Sequence, residues 1–550
     1  MSASGLDMFA PYDARLVHDV VLRGGSVYDG EGGEPYAADV AIDGDQIAAV
    51  MPAVRDRGSR EIDASGLAIA PGFVNMLSWA IPSLIADGRA QSDVRQGVTL
   101  EVFGEGSSMG PLTDEMRRDQ IERQADIKYE MPWTTLREGL DHLVRLGISV
   151  NVASFVGATT IRVHEVGYAD RPATPDELER MRRLVGDAMR EGALGLGSAL
   201  IYTPGTFAGT DELIALCEAA SEYSGTYISH LRNEGDRLVE AVDELITIAR
   251  RARVPAEIYH LKQAGRASWD KLSAVVERVE RAQAEGLTIT ADMYPYTAGA
   301  TGLNASMPPW VQEGGFNAWL ARLRDPAVRE RVAREMRAPG KDWENLYLAA
   351  GGAPGVLLVS FKSERLKPLT GKTLAEVAWS RGVSPEETAV ELVVEDESRV
   401  GACYFVASEE NVRRQVALPW MSFGSDEAAP APEGVFLKSN PHPRAYGTFA
   451  RLLGHYVREQ RLMPLEDAVR RLTAVPCERL RLASRGRVAR GYFADLVAFD
   501  PYTIRDHATY ADPHRYATGV VHVFVNGEQV ISDGEHTGAR PGRVLTPARA

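Results

Sequence analysis

Eight apolar, strand-like runs recur along this chain, with amphipathic helical stretches between most of them, and few architectures can satisfy that rhythm. The runs are LAIAPGFVNM (67–76), TLEVFGEG (99–106), GISVNVASFVG (147–157), GALGLGSAL (192–200), TYISHL (226–231), AEIYHLK (256–262), LTITADMYPY (287–296) and PWMSFGSD (419–426). Intervening stretches such as TPDELERMRRLVGDAMREG and WDKLSAVVERVERAQAEG space their apolar residues at the helical period, with charges on the outer positions. Strands that alternate with helices form parallel sheets, and eight of them favour a closed α/β barrel of the (β/α)8 TIM type over an open sheet.

Both ends of the chain read differently. VVLRGGSVYDG (20–30) and ADVAIDGDQIAAVM (38–51) alternate apolar and polar residues around Gly-rich and Asp-Gly turns. GRVARGYFADLVAFD (486–500) and GVVHVFVNGEQVISDG (519–534) do the same, the latter around Asn-Gly. Segments 1–66 and 486–550 are therefore expected to share one small β-sandwich domain, since chain ends often meet. The barrel occupies 67–485. About 120 residues separate the last two strand runs, too many for a structureless loop, so an inserted subdomain is expected at about 303–418. It carries its own helical stretches (AVRERVAREM, TLAEVAWSRG, PEETAVELVVEDE) and a strand-like VLLVSF.

A barrel of this kind places its active site at the C-terminal ends of the strands. Glu105 ends the second run, His230 the fifth, Asp426 the eighth, and His260 nearly ends the sixth. A single histidine at a strand end is more often a hydrogen-bonded structural residue. Two imidazoles and two carboxylates converging on one mouth form a plausible zinc site. The formal net charge of -15 is spread without a concentrated basic face, which argues against a nucleic-acid partner. Three distant cysteines offer neither a disulfide framework nor a thiolate zinc site. No leader-like N-terminus and no long apolar run is evident, so a cytoplasmic location without a membrane span is expected.

The phrases APGFVNMLSW, QGVTLEVFGEGSSMGPL, YISHLRNEG, IYHLKQAG, DMYPYTAGATGL, GSDEAAPA and HPRAYGTFARLLGHYVRE together resemble the signatures of the N-acyl-D-amino-acid deacylase (D-aminoacylase) branch of the amidohydrolase superfamily. RGRVARGYFADLVAFDP and VNGEQV match the family's closing β segments, and the resemblance runs from about residue 19 to about 545. It implies a (β/α)8 barrel with a small β domain, and zinc-assisted hydrolysis of the amide of an N-acyl-D-amino acid. By the same resemblance, His230 and His260 are ligands of the tight zinc site, and Asp426 is the general base and then proton donor. Lys262, Tyr202, Tyr294 and Arg444 correspond to residues that hold the substrate carboxylate and the scissile carbonyl. Lysine and arginine suit a free carboxylate on charge alone, and arginine can grip it in bidentate fashion.

Two departures stand out. Where the family carries PGF-x-D-x-H-x-H, this chain has Leu77 and Trp79 at the histidine positions, so the weaker second metal site is expected to be absent. Where many relatives carry a ligating cysteine, this chain has Glu105, a harder oxygen ligand that zinc accepts. One zinc per chain, held by Glu105, His230 and His260, is the expectation, with a fourth position for an activated water. The partner is then a small molecule with a free carboxylate, and the chain a monomer or homo-oligomer. Two alternatives remain at this level: a hydantoinase-like hydrolase of cyclic amides or imides, and a metal-free binding protein descended from the enzyme.

Overall fold

The computed structural model describes residues 17–548. Eight parallel strands form a barrel in chain order: Phe73–Asn75, Val98–Phe103, Asn151–Ser154 continuing as Val156–Gly157, Gly195–Ala199, Thr226–His230, Ala256–Ile258, Ile289–Met293 and Met421–Phe423. Each pairs in parallel with the next. The ring closes where Met76 N donates to Phe423 O at 3.2 Å and Asp426 N donates to Leu77 O at 2.8 Å, beside a parallel bridge between Ser78 and Glu427. Seven of the eight strands fall within the runs that the sequence marks, and the second begins one residue before its run, at Val98.

The period of two along a strand sorts the side chains. Val74, Leu100, Val102, Ala153 and Ile228 pack together as one apolar cluster. Their strand neighbours Phe73, Phe103, Val152 and Tyr227 pack with helix residues such as Val185, Leu245 and Val279. His230 follows Ile228 by two residues and so projects to the same side. Those helices start where their chemistry says they should. Thr174 caps the helix Pro175–Arg190 with its side chain on Glu177 N, and Glu177 reaches back to Thr174 N. Thr135 and Glu138 repeat this box on Leu136–Leu146.

The small domain is one connected sheet of nine strands. Strand His18–Val27 pairs antiparallel with Tyr36–Asp43 on one edge, and parallel with Gly58–Asp63 and then Ala68–Pro71 on the other. The two chain ends join where Ala68–Pro71 pairs with Leu496–Phe499. Both faces are covered: Val20, Leu22, Val40 and Ile42 fill one core, and Val21, Ala41, Ala49 and Val54 the other. The Asn526-Gly527 turn has positive φ at both residues (49° and 81°), the primed geometry that a two-residue hairpin requires.

Between the seventh and eighth strands, Ala298–Gly302, Val356–Ser360 and Gly401–Phe405 form a three-stranded antiparallel sheet. Helices Phe316–Leu323, Pro326–Met336, Leu374–Arg381 and Pro385–Asp396 accompany it. Leu303, Trp319, Leu323, Val356, Leu358 and Val390 give this segment a core separate from the barrel's.

Candidate active site

At the C-terminal end of the barrel lies a cavity of about 740 Å³, roofed on one side by insert residues including Thr301 and Arg399. Glu105, Tyr202, His230, His260, Lys262, Tyr294, Asp426 and Arg444 all line it. The fold thus gathers every residue singled out from the sequence, from seven different strand ends or loops.

At its floor, one oxygen of Glu105 faces two imidazoles. Oε1 lies 3.0 Å from His230 Nδ1 and 2.9 Å from His260 Nε2. The three residues are buried, and their ligand-capable atoms lie within 4.8 Å of one another. The remaining ring nitrogens turn toward a second carboxylate: Glu234 Oε1 is 3.2 Å from His260 Nδ1, and Glu234 Oε2 is 3.5 Å from His230 Nε2. A carboxylate behind a ligating imidazole fixes its orientation and raises its basicity.

The electrostatics suit a cation. Burial opposes ionisation of Glu105, yet the charge at His260 and the hydrogen bonds from both imidazoles hold its carboxyl well below the ordinary range. Glu234 is held low in the same way, burial being outweighed by Lys262 and the two histidines. Burial and Lys262 oppose charge on His260, but Glu234 and Glu105 raise it well above its usual value. Surroundings that favour an imidazolium here equally favour a divalent metal among its nitrogens and the Glu105 oxygen. The donor set of two nitrogens and one carboxylate is one that zinc accepts.

Two of these residues have left-handed backbone, His260 (φ 32°) and Asp426 (φ 52°), a conformation that costs a non-glycine residue about 1 kcal/mol or more. Each is pinned by a buried hydrogen bond. His260 N donates to Asp292 Oδ1 at 2.7 Å, and Asp426 N to Leu77 O. Beside Asp426, Asn75 Oδ1 accepts from Ser425 N at 2.7 Å, while Asn75 Nδ2 lies 3.0 Å from Asp93 Oδ2 and 2.9 Å from Glu101 Oε2. Burial, then the charge of Glu101, pushes the Asp93 carboxyl well up. This strap ties the first strand to the loop that carries Asp426.

Asp426 is buried, and burial raises its pKa against the opposing charge of Arg444. Arg444 Nη1 lies 2.8 Å from Asp426 Oδ2, an ion pair without hydrogen-bond alignment, and its guanidinium stacks 4.3 Å above the Tyr294 ring. Lys262 is also paired: Nζ lies 2.8 and 2.9 Å from the Glu234 oxygens and 2.8 Å from His260 Nδ1. The Tyr202 ring meets His230 edge-on, with centroids 5.3 Å apart.

Sequence reasoning missed two contributors. Glu234 stands in YISHLRNEG, four residues beyond His230, and its side chain serves both histidines and Lys262. Trp79, noted in the sequence only as a residue unable to ligate, donates its indole N–H to Glu105 Oε2 at 3.0 Å and to Asp426 Oδ1 at 3.1 Å.

A carboxylate and two imidazoles around one point at the open end of a (β/α)8 barrel, with a buried aspartate beside them, define a metal-dependent hydrolase. The model of the amidohydrolase family matches residues 127–531, and the chain belongs to that family, within its D-aminoacylase branch. It is 33% identical to the D-aminoacylase of Alcaligenes xylosoxydans xylosoxydans over 97% of this chain and 98% of that protein. A D-aminoacylase structure solved to define the functional role of its binuclear metal centre aligns with a TM-score of 0.80 at 32% identity, covering 96% of this chain and all of that one. The N-acyl-D-glutamate deacylase of Bordetella bronchiseptica, complexed with zinc and a phosphonate mimic of the tetrahedral intermediate, aligns with a TM-score of 0.78 at 28% identity, with 96% and 100% covered.

Proposed function

We propose that this chain deacylates N-acyl-D-amino acids, releasing a carboxylate and the free D-amino acid, with one zinc per chain. The carrying observation is the placement of Asp426, which is within reach of the Glu105 and His260 cradle on one side and paired with Arg444 on the other. Zinc held by Glu105, His230 and His260 would supply Lewis acidity toward the attacking water and the acyl carbonyl. Asp426 takes the proton of that water and passes it to the leaving amine. Tyr202, set against His230, is placed to donate to the developing oxyanion.

Substrate recognition follows from the ion pairs. Lys262 is neutralised by Glu234, whereas Arg444 meets Asp426 without hydrogen-bond alignment, so its partner can be exchanged. A substrate carboxylate competes with Asp426 for Arg444, so binding loosens the pair that restrains the base. An amide or ester of the same compound offers no such exchange. A ring lactam or imide brings no free carboxylate either, which weighs against the cyclic-amide reading. The binuclear centre, with its one-metal activation and second-metal attenuation, belongs to the D-aminoacylase relative; for this chain, Leu77 and Trp79 support a single metal. We place the enzyme in the cytoplasm, as a monomer or homo-oligomer acting on a small molecule without nucleic acid or membrane. Among the described residues no helix is long and apolar enough to cross a membrane.

The test is turnover of N-acyl-D- and N-acyl-L-amino acids, their amides, and hydantoins by wild type and Arg444→Met. We expect the D free acids to be the preferred substrates. Arg444→Met should reduce kcat/KM for the acid by about 10- to 100-fold, as for loss of a hydrogen bond to a charged group, and narrow the gap to the amide. Equal losses on acid and amide would withdraw the carboxylate role of Arg444. Preference for a hydantoin would establish the cyclic-amide reading, and no turnover with no bound metal the binding-protein one.

A further inference from the structure

Trp79 is a large aromatic residue that lines the active-site cavity yet is left 43% exposed. Its indole proton explains the placement. Nε1 lies 3.0 Å from Glu105 Oε2 and 3.1 Å from Asp426 Oδ1, so a single N–H is shared between two carboxylates. The geometry points to Trp79 as the replacement for a second metal ion: its indole N–H ties Glu105 to Asp426 and closes that position to a second cation.

The strand order makes the tie possible. Trp79 follows the first barrel strand, Glu105 the second and Asp426 the eighth, and the first strand lies between the other two in the closed ring. Each carboxylate divides its oxygens. Glu105 gives Oε1 to the two imidazoles and Oε2 to the indole. Asp426 gives Oδ2 to Arg444 and Oδ1 to the indole. Two buried carboxylates beside each other repel unless something between them attracts both. A divalent cation would do so by charge, whereas the indole does so by one polarised N–H and brings no charge.

Position 77 is used as well. Leu77 is fully buried in the cluster with Val74 and Met76, where its side chain occupies apolar volume and its carbonyl accepts from Asp426 N. One residue of the former ligand pair thus holds the Asp426 backbone, and the other holds its side chain. Trp79 is in this sense a positioning residue, and the inference rests on the metal-dependent deacylase reading.

Metal content tests the closure without any substrate. Wild-type enzyme equilibrated with excess zinc and desalted should carry about one equivalent, and Leu77→His/Trp79→His about two, if a restored ligand pair reopens the position. Two equivalents in wild type, or one in the folded double variant, would overturn the closure. If the double variant melts far below wild type, Trp79→Phe still decides the tie, because it keeps the ring and removes only the donor. We expect its kcat to fall about 10- to 100-fold with KM within about twofold and metal content unchanged. A kcat equal to wild type, or a loss confined to KM, would refute the tie. If no acylated amino acid is turned over at all, the deacylase reading fails, while the zinc counts still decide whether the second position is closed.

Discussion

Asp426 meets opposed demands at its two oxygens. A general base needs an available lone pair, yet Arg444 faces Oδ2 and the Trp79 indole faces Oδ1. The ion pair is the exchangeable contact, since a substrate carboxylate can replace one side of it, and the left-handed backbone at φ 52° keeps the carboxylate in place meanwhile. Asp426→Asn preserves shape but turns one oxygen into an NH2 and removes the base, so turnover should fall by at least about a hundredfold. Zinc content, measured on the same preparation, should stay at the wild-type level; loss of metal would make Asp426 a ligand instead. Glu234→Gln should weaken zinc binding by about 10- to 100-fold, as expected when the partner behind two ligating imidazoles loses its charge, and competition with a chelator would measure it. An unchanged affinity would confine Glu234 to neutralising Lys262. His230, His260, Glu105 and Asp426 are legible in the sequence because strand ends put them at one mouth. The pairings of Arg444 with Asp426, Lys262 with Glu234 and Trp79 with both carboxylates are not, because they depend on distances of a few ångströms between side chains that no periodicity encodes.

At the level of elements, the insert is more than a roof. Glu344, which lies in it, accepts a hydrogen bond from the backbone N of Glu234 at 2.5 Å, so the segment grips the residue whose carboxylate pairs with Lys262. Burial, reinforced by the charge of Glu234, raises the Glu344 carboxyl from 4.5 to about 8. Its folded-state pKa therefore exceeds its unfolded one, and the folded protein keeps a proton that the unfolded chain releases. The resulting stability is fully present below about pH 4.5 and is lost as pH rises toward 8, with a slope of at most about 1.4 kcal/mol per pH unit. Glu344→Gln cannot titrate, so its melting temperature should decline less than that of wild type between pH 5 and 8; parallel curves would refute this. The helices of the insert were readable from AVRERVAREM, TLAEVAWSRG and PEETAVELVVEDE, whose apolar spacing is helical. The strand Ala298–Gly302 was not, since AGATG carries almost no apolar signal and is defined by its pairing with Gly401–Phe405.

Across the whole molecule, the barrel, the small sheet and the insert have separate cores, while the cradle of Glu105, His230 and His260 spans three barrel strands. A metal held there binds the folded chain and not the unfolded one, so it stabilises by mass action. Exhaustive chelation should lower the melting temperature by a few degrees, about 2–4 °C per kcal/mol lost or less for a chain of this size, and zinc should restore it. A melting curve indifferent to chelation would argue against a metal in the cradle. The eightfold strand rhythm made the barrel legible because parallel strands buried on both faces read as apolar runs. The join between the chain ends was legible only as two similar β patterns; which strands meet is set by the register of Leu496–Phe499 on Ala68–Pro71.

That join has a consequence for how the protein is made. Ala68–Pro71 leads through Gly72 straight into the first barrel strand, but its partner Leu496–Phe499 is translated more than four hundred residues later. Met76 and Leu77 likewise wait for Phe423 and Asp426 to close the ring. On the ribosome, the opening strand of the barrel thus emerges among the first elements and is among the last to be secured, which leaves an apolar edge in need of protection throughout elongation.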